Sequence, residues 1–270
     1  MKNLTTTVVC NREVAPGYWR MRVMAPDFKA QAQPGQFVML RVRKGVVPFL
    51  RRPFGIFDTG LLPPENGETK PLDYLDLLYR VVGEGTALMT GLREGDPVEV
   101  LGPLGNGFDL RVPEGDVVLV AGGVGVAPLL TTARAFAAAH RVEVLLGGRT
   151  HNDILAVEDF KAAHVPVRVS TEDGSAGVQG LVTQLLAGRL QEGRPALVAA
   201  CGPMPMLRAV HDICREAQVP LQVSLESLMG CGVGACLGCM VKGAAHTEEH
   251  PQLLSVCKDG PVFDGDALAW

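Results

Sequence analysis

A chain of 270 residues, 47% hydrophobic and 20% charged with a formal net charge of −4, is long enough for about two domains and has the balance of an ordinary globular protein. The negative balance argues against a nucleic-acid partner, which calls for a basic face, and no run of 18 apolar residues is present to span a membrane. MKNLTTTVVCNREV lacks the apolar core and cleavage site of a secretory signal, so a cytoplasmic chain is expected, its seven cysteines reduced and not framed by disulfides.

The first hundred or so residues read as β-rich. YWRMRVMAP, GQFVMLRVRK and DLLYRVVG alternate apolar with polar residues at period two. Turn residues punctuate them: Pro34-Gly35, then PPENGETKP at 63–71, then Glu94-Gly95-Asp96-Pro97. This predicts a small barrel or sandwich over 1–112. After Val112-Pro113 the pattern changes. DVVLVAG is a continuous apolar run, as for a parallel strand buried on both faces. PLLTTARAFAAAH follows as a helix with Pro128 in its first turn. VEVLLGG, VPVRVST, ALVAACG and LQVSLE read as further strands, and DILAVEDFKAA, LVTQLLAGRL and PMPMLRAVHDICREA as helices. The alternation predicts a parallel sheet with helices on both faces over 113–225. The remainder, 226–270, is short, glycine-rich and cysteine-rich.

MGCGVGACLGCMVKG, residues 229–243, places Cys231, Cys236 and Cys239 in nine residues, with Cys257 downstream. The spacing C-x4-C-x2-C with a distant fourth cysteine is that of a plant-type [2Fe–2S] ligand run. Converging thiolates need a tight loop, and Gly230, Gly232, Gly234 and Gly238 are expected to supply unusual dihedrals and N–H groups aimed at sulfur. A structural zinc site and unligated thiols are the alternatives, although zinc favours paired C-x2–4-C spacings. Cys10 and Cys214 are expected to be core-packing residues.

VVLVAGGVGVAPLL is a strand, a glycine turn and a helix start. Gly122, Gly123 and Gly125 allow the backbone to approach a phosphate, although Pro128 stands where the third glycine of G-x-G-x-x-G would be. Cys201-Gly202-Pro203 ends a later strand, at the edge where open α/β sheets bind ligands. Packing-only roles for these turns are the alternative. Arg51-Arg52-Pro53 and Gly83, Gly85 and Thr86 offer charge, N–H groups and a hydroxyl in the β-rich half.

Taken together, RRPF, GEGT, GPLGNGF, AGGVGVAPL and CGP resemble the ferredoxin–NADP reductase superfamily. With ESLMGCGVGACLGCMVK and VCKDGPVF added, nearly the whole chain resembles the electron-transfer subunits of the class 1B dihydroorotate dehydrogenases. The resemblance implies an N-terminal antiparallel FAD-binding β-barrel, a parallel-sheet NAD-binding domain and a short iron–sulfur tail. Carried over by position, Arg52, Pro53, Phe54 and Gly55 would touch the isoalloxazine and ribityl side. Leu78, Tyr79 and Arg80 would line the cofactor, with Arg80 near a phosphate, and Gly85 and Thr86 would bind the pyrophosphate. Many relatives carry serine or threonine at the position of Gly55, which leaves only a backbone N–H here. Gly122, Gly123, Gly125, Pro128, Cys201, Gly202 and Pro203 would meet the nicotinamide dinucleotide, and Cys231, Cys236, Cys239 and Cys257 the cluster.

The resemblance further implies an FMN-containing dihydroorotate dehydrogenase catalytic subunit as partner, in a heterotetramer of two plus two. Electrons would pass from it through [2Fe–2S] and FAD to NAD⁺, and no residue of this chain would act as a catalytic acid or base. The partner would dock on 226–243 with the segment around Cys257, Met229 and Leu237 lying on that face. The alternatives are a subunit of a sulfide dehydrogenase-type or transhydrogenase-type NAD(P)H reductase and, in another class, a non-redox scaffold holding zinc. Gly147-Gly148-Arg149-Thr150 ends a strand without the acidic residue that binds a ribose 2′-hydroxyl, and Arg149 could accept a 2′-phosphate, so NADP⁺ stays open beside NAD⁺.

Overall fold

The computed structural model describes residues 1–42, 49–63 and 71–270. Most of the turn expected at 63–71, and the end of the strand expected in GQFVMLRVRK, lie outside those residues. The β-rich part is a closed antiparallel barrel of β1 (Lys2–Ala15), β2 (Tyr18–Met24), β3 (Phe37–Arg41), β4 (Arg52–Leu62), β5 (Leu72–Arg80) and β6 (Pro97–Leu104), in the order β1-β2-β5-β4-β3-β6. Closure removes the sheet edges. Short helices α1 (Phe28–Gln31) and α2 (Glu84–Thr90) accompany it. Met21, Val23, Val38, Leu40, Ile56, Leu75, Leu77 and Tyr79 fill the interior, each at most 1% exposed.

Burial in β5 runs unbroken from Leu75 to Arg80's neighbour Tyr79, because a second layer covers the barrel's outer face there. Leu78 packs with Tyr18 and Phe57 into the core of the sheet unit. Asp76, fully buried on that face, accepts bonds from Arg20 Nε at 2.8 Å and Arg22 Nε at 2.7 Å, which is how a buried charge is tolerated. Three further bonds join the two units: Tyr18 to Asp153 at 2.6 Å, Arg20 to Asp159 at 2.8 Å and Arg134 to Asp58 at 2.5 Å.

The second unit contains β7 (Val117–Gly122), β8 (Val142–Gly148), β9 (Val167–Thr171), β10 (Val178–Gln179), β11 (Leu197–Cys201) and β12 (Leu221–Ser224). They are connected through α3 (Leu129–Ala137), α4 (Val157–Ala162), α5 (Val182–Glu192) and α6 (Met204–Glu216). The tail adds β13 (Met240–Lys242), β14 (Leu253–Ser255) and β15 (Val262–Asp264). The sheet order is β10-β9-β8-β7-β11-β12-β15. All pairings are parallel except β12 with β15. The apolar run of β7 is central, with Val117 to Ala121 at most 1% exposed. The tail is therefore not an appendage: its last strand closes the sheet.

The cysteine loop also rests on the barrel. A Cβ at Gly232 would come 2.5 Å from Met39 of β3, and Asn106, just past β6, donates its backbone N–H to the Gly260 carbonyl at 2.6 Å. Cys239, Cys257, Phe37, Met39 and Leu104 share one core with β7, β11 and β12.

Candidate functional site

A cavity of about 1110 Å³ lies between barrel and sheet. Its sheet wall is the carboxyl edge of five neighbouring strands. Gly122 and Gly123 come from β7, Gly147, Gly148 and Arg149 from β8, Glu172 from the end of β9, Cys201 from β11, and Ser224 and Leu225 from β12. Loops at that edge of a doubly wound sheet form ligand sites. The barrel wall carries Arg52, Pro53, Phe54 and Gly55 of β4, Leu78, Tyr79 and Arg80 of β5, and Gly85 and Thr86 of α2. Pro128 and Pro203 face it too. Gly125 and Gly202 stand behind the wall. A Cβ on Gly125 would lie 2.5 Å from the Cys201 carbonyl oxygen, and one on Gly202 2.6 Å from Met206 Cε. Both glycines permit close packing of turn against strand end.

The barrel wall is built for a large, partly anionic ligand. A Cβ at Gly85 would meet Arg52 Nε at 2.8 Å, so the guanidinium lies across the first turn of α2. The leading N–H groups of a helix have no partner within it, and with a guanidinium beside them they suit a phosphate. The Thr86 hydroxyl shapes this turn from within. It accepts the N–H groups of Val82 at 2.9 Å and Gly83 at 3.1 Å and donates to the Gly83 carbonyl at 3.0 Å. The rings of Phe54 and Tyr79 meet edge-on at 6.0 Å. A Cβ on Gly55 would sit 3.4 Å from Pro128 Cδ, so β4 touches the glycine-turn segment directly.

Tyr18 joins the two walls. Its hydroxyl donates to Asp153 Oδ1 at 2.6 Å, and Asp153 Oδ2 accepts the N–H groups of Arg149 and Thr150, each at 3.1 Å. Arg80 sits 5.5 Å over the Tyr18 ring. Burial, then the bond and charge of Asp153, push the Tyr18 phenol up to about 12. Cys201 is 2% exposed, and burial, followed by the charge of Glu226, pushes its thiol upward. Glu226, on the same cavity, is itself pushed up by withdrawal from bulk water.

Leu225 to Met229 line the cavity, and Cys231 follows two residues later. In the cysteine loop the N–H groups of Val233, Ala235 and Cys236 point at Cys231 Sγ at 3.4, 3.2 and 3.4 Å. That of Gly234 points at Cys257 Sγ at 3.1 Å, and that of Cys257 at Cys239 Sγ at 3.4 Å. Only one of these donors is a glycine. Positive φ is found at Gly232 (73°) and Gly234 (81°) and not at Gly230 or Gly238. Burial acts to raise the Cys231 thiol, but the N–H groups outweigh it and hold it near 6. Burial and the neighbouring Cys239 and Cys231 push Cys257 up to about 12. Among the described residues no three His, Cys, Asp or Glu side chains converge on a single metal position. Four soft donors with N–H groups aimed at sulfur suit a two-iron cluster, which takes its thiolates in pairs.

Two expectations are corrected. Cys10 is exposed rather than core-packed, because a bulge between Val8 and Cys10 shifts the phase of β1. Met229 is 9% exposed and faces inward, whereas Leu228 at 90% and Leu237 at 63% face solvent. Tyr18, Asp153, Glu172 and Glu226 were not singled out from sequence. Only Glu172 carried a usable signal, directly following the strand VPVRVST.

A family model for the iron–sulfur cluster binding domain of dihydroorotate dehydrogenase B matches residues 226–269, and one for the oxidoreductase NAD-binding domain matches 119–212. A protein of Desulforamulus reducens named dihydroorotate dehydrogenase B (NAD(+)), electron transfer subunit, is 38% identical over 258 residues, 95% of this chain and 94% of its own. One of the same name from Bacillus velezensis is 35% identical over 272 residues, all of both chains. A solved NADH-dependent reduced ferredoxin–NADP oxidoreductase, described in terms of flavin-based electron bifurcation, superposes with a TM-score of 0.82. It is 31% identical, over 99% of this chain and 90% of that one. A Neisseria gonorrhoeae ferredoxin NADP⁺ reductase with bound FAD and NADP shares the fold at a TM-score of 0.60 and 16% identity, over 80% of this chain and 92% of that one.

Proposed function

This chain belongs to the family of dihydroorotate dehydrogenase B electron transfer subunits, and we propose that it carries electrons from a dihydroorotate-oxidising catalytic subunit through a [2Fe–2S] cluster and FAD to NAD⁺. The observation that carries this reading is contiguity: residues 225–229 wall the cavity and lead directly into the cysteine loop. When bound, the flavin couples one-electron exchange with the cluster to two-electron hydride exchange with NAD⁺. Every other contribution belongs to the protein. Arg52 and the first turn of α2 hold the flavin's pyrophosphate, with Gly85 letting the guanidinium lie close. Pro53, Phe54, Gly55, Leu78 and Tyr79 shape the ring and ribityl wall, and Arg80 stands by a phosphate. Gly122, Gly123, Pro128, Cys201 and Pro203 seat the nicotinamide dinucleotide, with Gly125 and Gly202 packing behind them. A Cys201 thiol held protonated offers the nicotinamide a neutral, polarizable surface. Cys231, Cys236, Cys239 and Cys257 hold the cluster, and the five N–H groups aimed at three of their sulfurs stabilise the thiolates.

We place the FAD unit at 1–112, the NAD unit at 113–225 and the cluster segment at 226–270, and the protein in the cytoplasm. The partner carries FMN and assembles with this chain as a two-plus-two heterotetramer. It docks on the solvent face of the cysteine loop, where Leu228, Val233 and Leu237 expose apolar surface. Mixing the chain with an FMN catalytic subunit and following dihydroorotate-dependent NADH formation tests this. Leu237→Asp should cut that coupled rate at least ~10-fold, since a buried unpaired charge at an interface costs several kcal/mol, and leave NADH-to-dye activity unchanged. Equal retention of both activities overturns the docking face. The 31% identical reduced ferredoxin–NADP oxidoreductase favours a second reading, a transhydrogenase-type subunit. Reduction through ferredoxin but not through dihydroorotate would select it.

A further inference from the structure

We infer that Lys258 tunes the cluster: its ammonium, carried along the cysteine loop at the Cys257 end, makes the cluster easier to reduce by one electron; this rests on reading the four cysteines as ligands of a [2Fe–2S] cluster. Lys258 directly follows Cys257. Its backbone is fixed on both sides, the N–H donating to the Ser255 carbonyl at 3.1 Å and the carbonyl accepting from Asn106 Nδ2 at 3.2 Å. The side chain then runs over the loop. A Cβ on Gly234 would come 2.9 Å from Lys258 Cδ, 3.2 Å from its Cβ and 3.5 Å from its Cγ, so the aliphatic stem lies along Gly234. Lysine buries its stem in this way and leaves its charge in water, and Lys258 is exposed.

Gly234 is the residue whose N–H points at Cys257 Sγ, at 3.1 Å. Three N–H groups point at Cys231 Sγ and only this one at Cys257 Sγ, so backbone dipoles support the Cys257 end less well. The lysine stands at that end. The side chains nearest the loop glycines are Met39 and Leu104 at Gly232, Cys236 at Gly230 and Gly238, and Lys258 at Gly234, and only Lys258 is a cation. Among the described residues no hydrogen bond or ion pair occupies its ammonium. The adjacent Asp259 is tied into the turn, its Oδ2 accepting the Ser255 N–H at 2.6 Å. Four thiolates give the cluster a net negative charge. Reduction adds one electron, delivered by a reduced flavin, with no bond made or broken in the protein. A cation nearby stabilises the more negative state and so raises the reduction potential.

The test is a potentiometric titration of the whole FAD-loaded and cluster-loaded chain with dithionite, read by low-temperature EPR of the reduced cluster. Lys258→Met keeps the stem and should make reduction about threefold less favourable, roughly 30 mV at about 59 mV per tenfold for one electron. Lys258→Glu reverses the charge and should make it about tenfold less favourable, about 59 mV. Lys258→Arg should keep the wild-type midpoint. At about 1 M salt, where screening acts within about 3 Å, the midpoints of wild type and Lys258→Met should converge. Lys258→Met and Lys258→Glu both within about 1.5-fold of wild type, or an equal fall in Lys258→Arg, overturn the inference while leaving the cluster in place. Where Lys258→Glu fails to load iron, Lys258→Met against Lys258→Arg decides. Wild type that gives no one-electron cluster signal overturns the cluster reading, and the inference with it.

Discussion

Replacing Cys231, Cys236, Cys239 or Cys257 with serine exchanges a soft anionic donor for a hard, weakly acidic hydroxyl. Each variant should lose the visible absorption and iron content of the cluster, measured after anaerobic preparation. Cys10→Ser should keep both and shift stability by less than about 0.5 kcal/mol, because Cys10 is an exposed strand residue. The cysteine run stands out in the sequence because its pattern is local: four cysteines at a characteristic spacing. Cys10 does not, because the bulge that turns it outward is set in its pairing with β2 and leaves no mark in the residues around it. Tyr18 does not either, since its partner Asp153 lies 135 residues away. Its phenol is raised to about 12 from the ordinary 10, so above pH 10 the unfolded chain releases this proton before the folded one does. The stability contributed by Tyr18 is thus fully present below pH 10 and lost as pH rises toward 12. Tyr79, likewise pushed up to about 12 by burial, adds to the same decline. Urea midpoints taken from pH 9 to pH 12 should fall, and Tyr18→Phe should flatten part of the slope; an unchanged slope would assign the effect elsewhere.

At the scale of elements, period-two strands and the alternating strand–helix pattern were legible because each segment carries its own apolar face. Strands of two or three residues, such as β10 and β13 to β15, were not, since so few residues contain no period. The helix expected across DILAVEDFKAA is shorter than its pattern. It begins at Val157, because Ala156 before it adopts φ 61°, and the chain at His151–Asp153 forms a separate 3-10 turn. A left-handed alanine costs about 1 kcal/mol that glycine does not. Ala156→Gly should therefore stabilise the protein by up to about 1 kcal/mol, less the extra entropy of the unfolded glycine. Thermal unfolding of the two proteins checks the sign; a clear loss of stability would show that the Ala156 methyl contributes packing worth more than the strain.

For the whole molecule, the sequence pattern suggested three consecutive pieces, whereas the cores run through one another. Tyr18, Phe57 and Leu78 of the barrel join the sheet's core, and Cys239, Cys257 and Met39 share another with β7 and β11. This fusion is invisible in a linear reading, because it is made of contacts between residues tens to hundreds of positions apart. It also has a functional consequence, since the cysteine loop is fixed beside the cavity rather than tethered to it. The central claim is that cavity and loop form one electron path within this chain. The most direct measurement is anaerobic addition of NADH to the isolated, cofactor-loaded chain, followed by low-temperature EPR. The path predicts the signal of a one-electron-reduced [2Fe–2S] cluster, present in wild type and absent in Cys257→Ser. Bleaching of the flavin by NADH with no such signal from an intact wild-type cluster would contradict it.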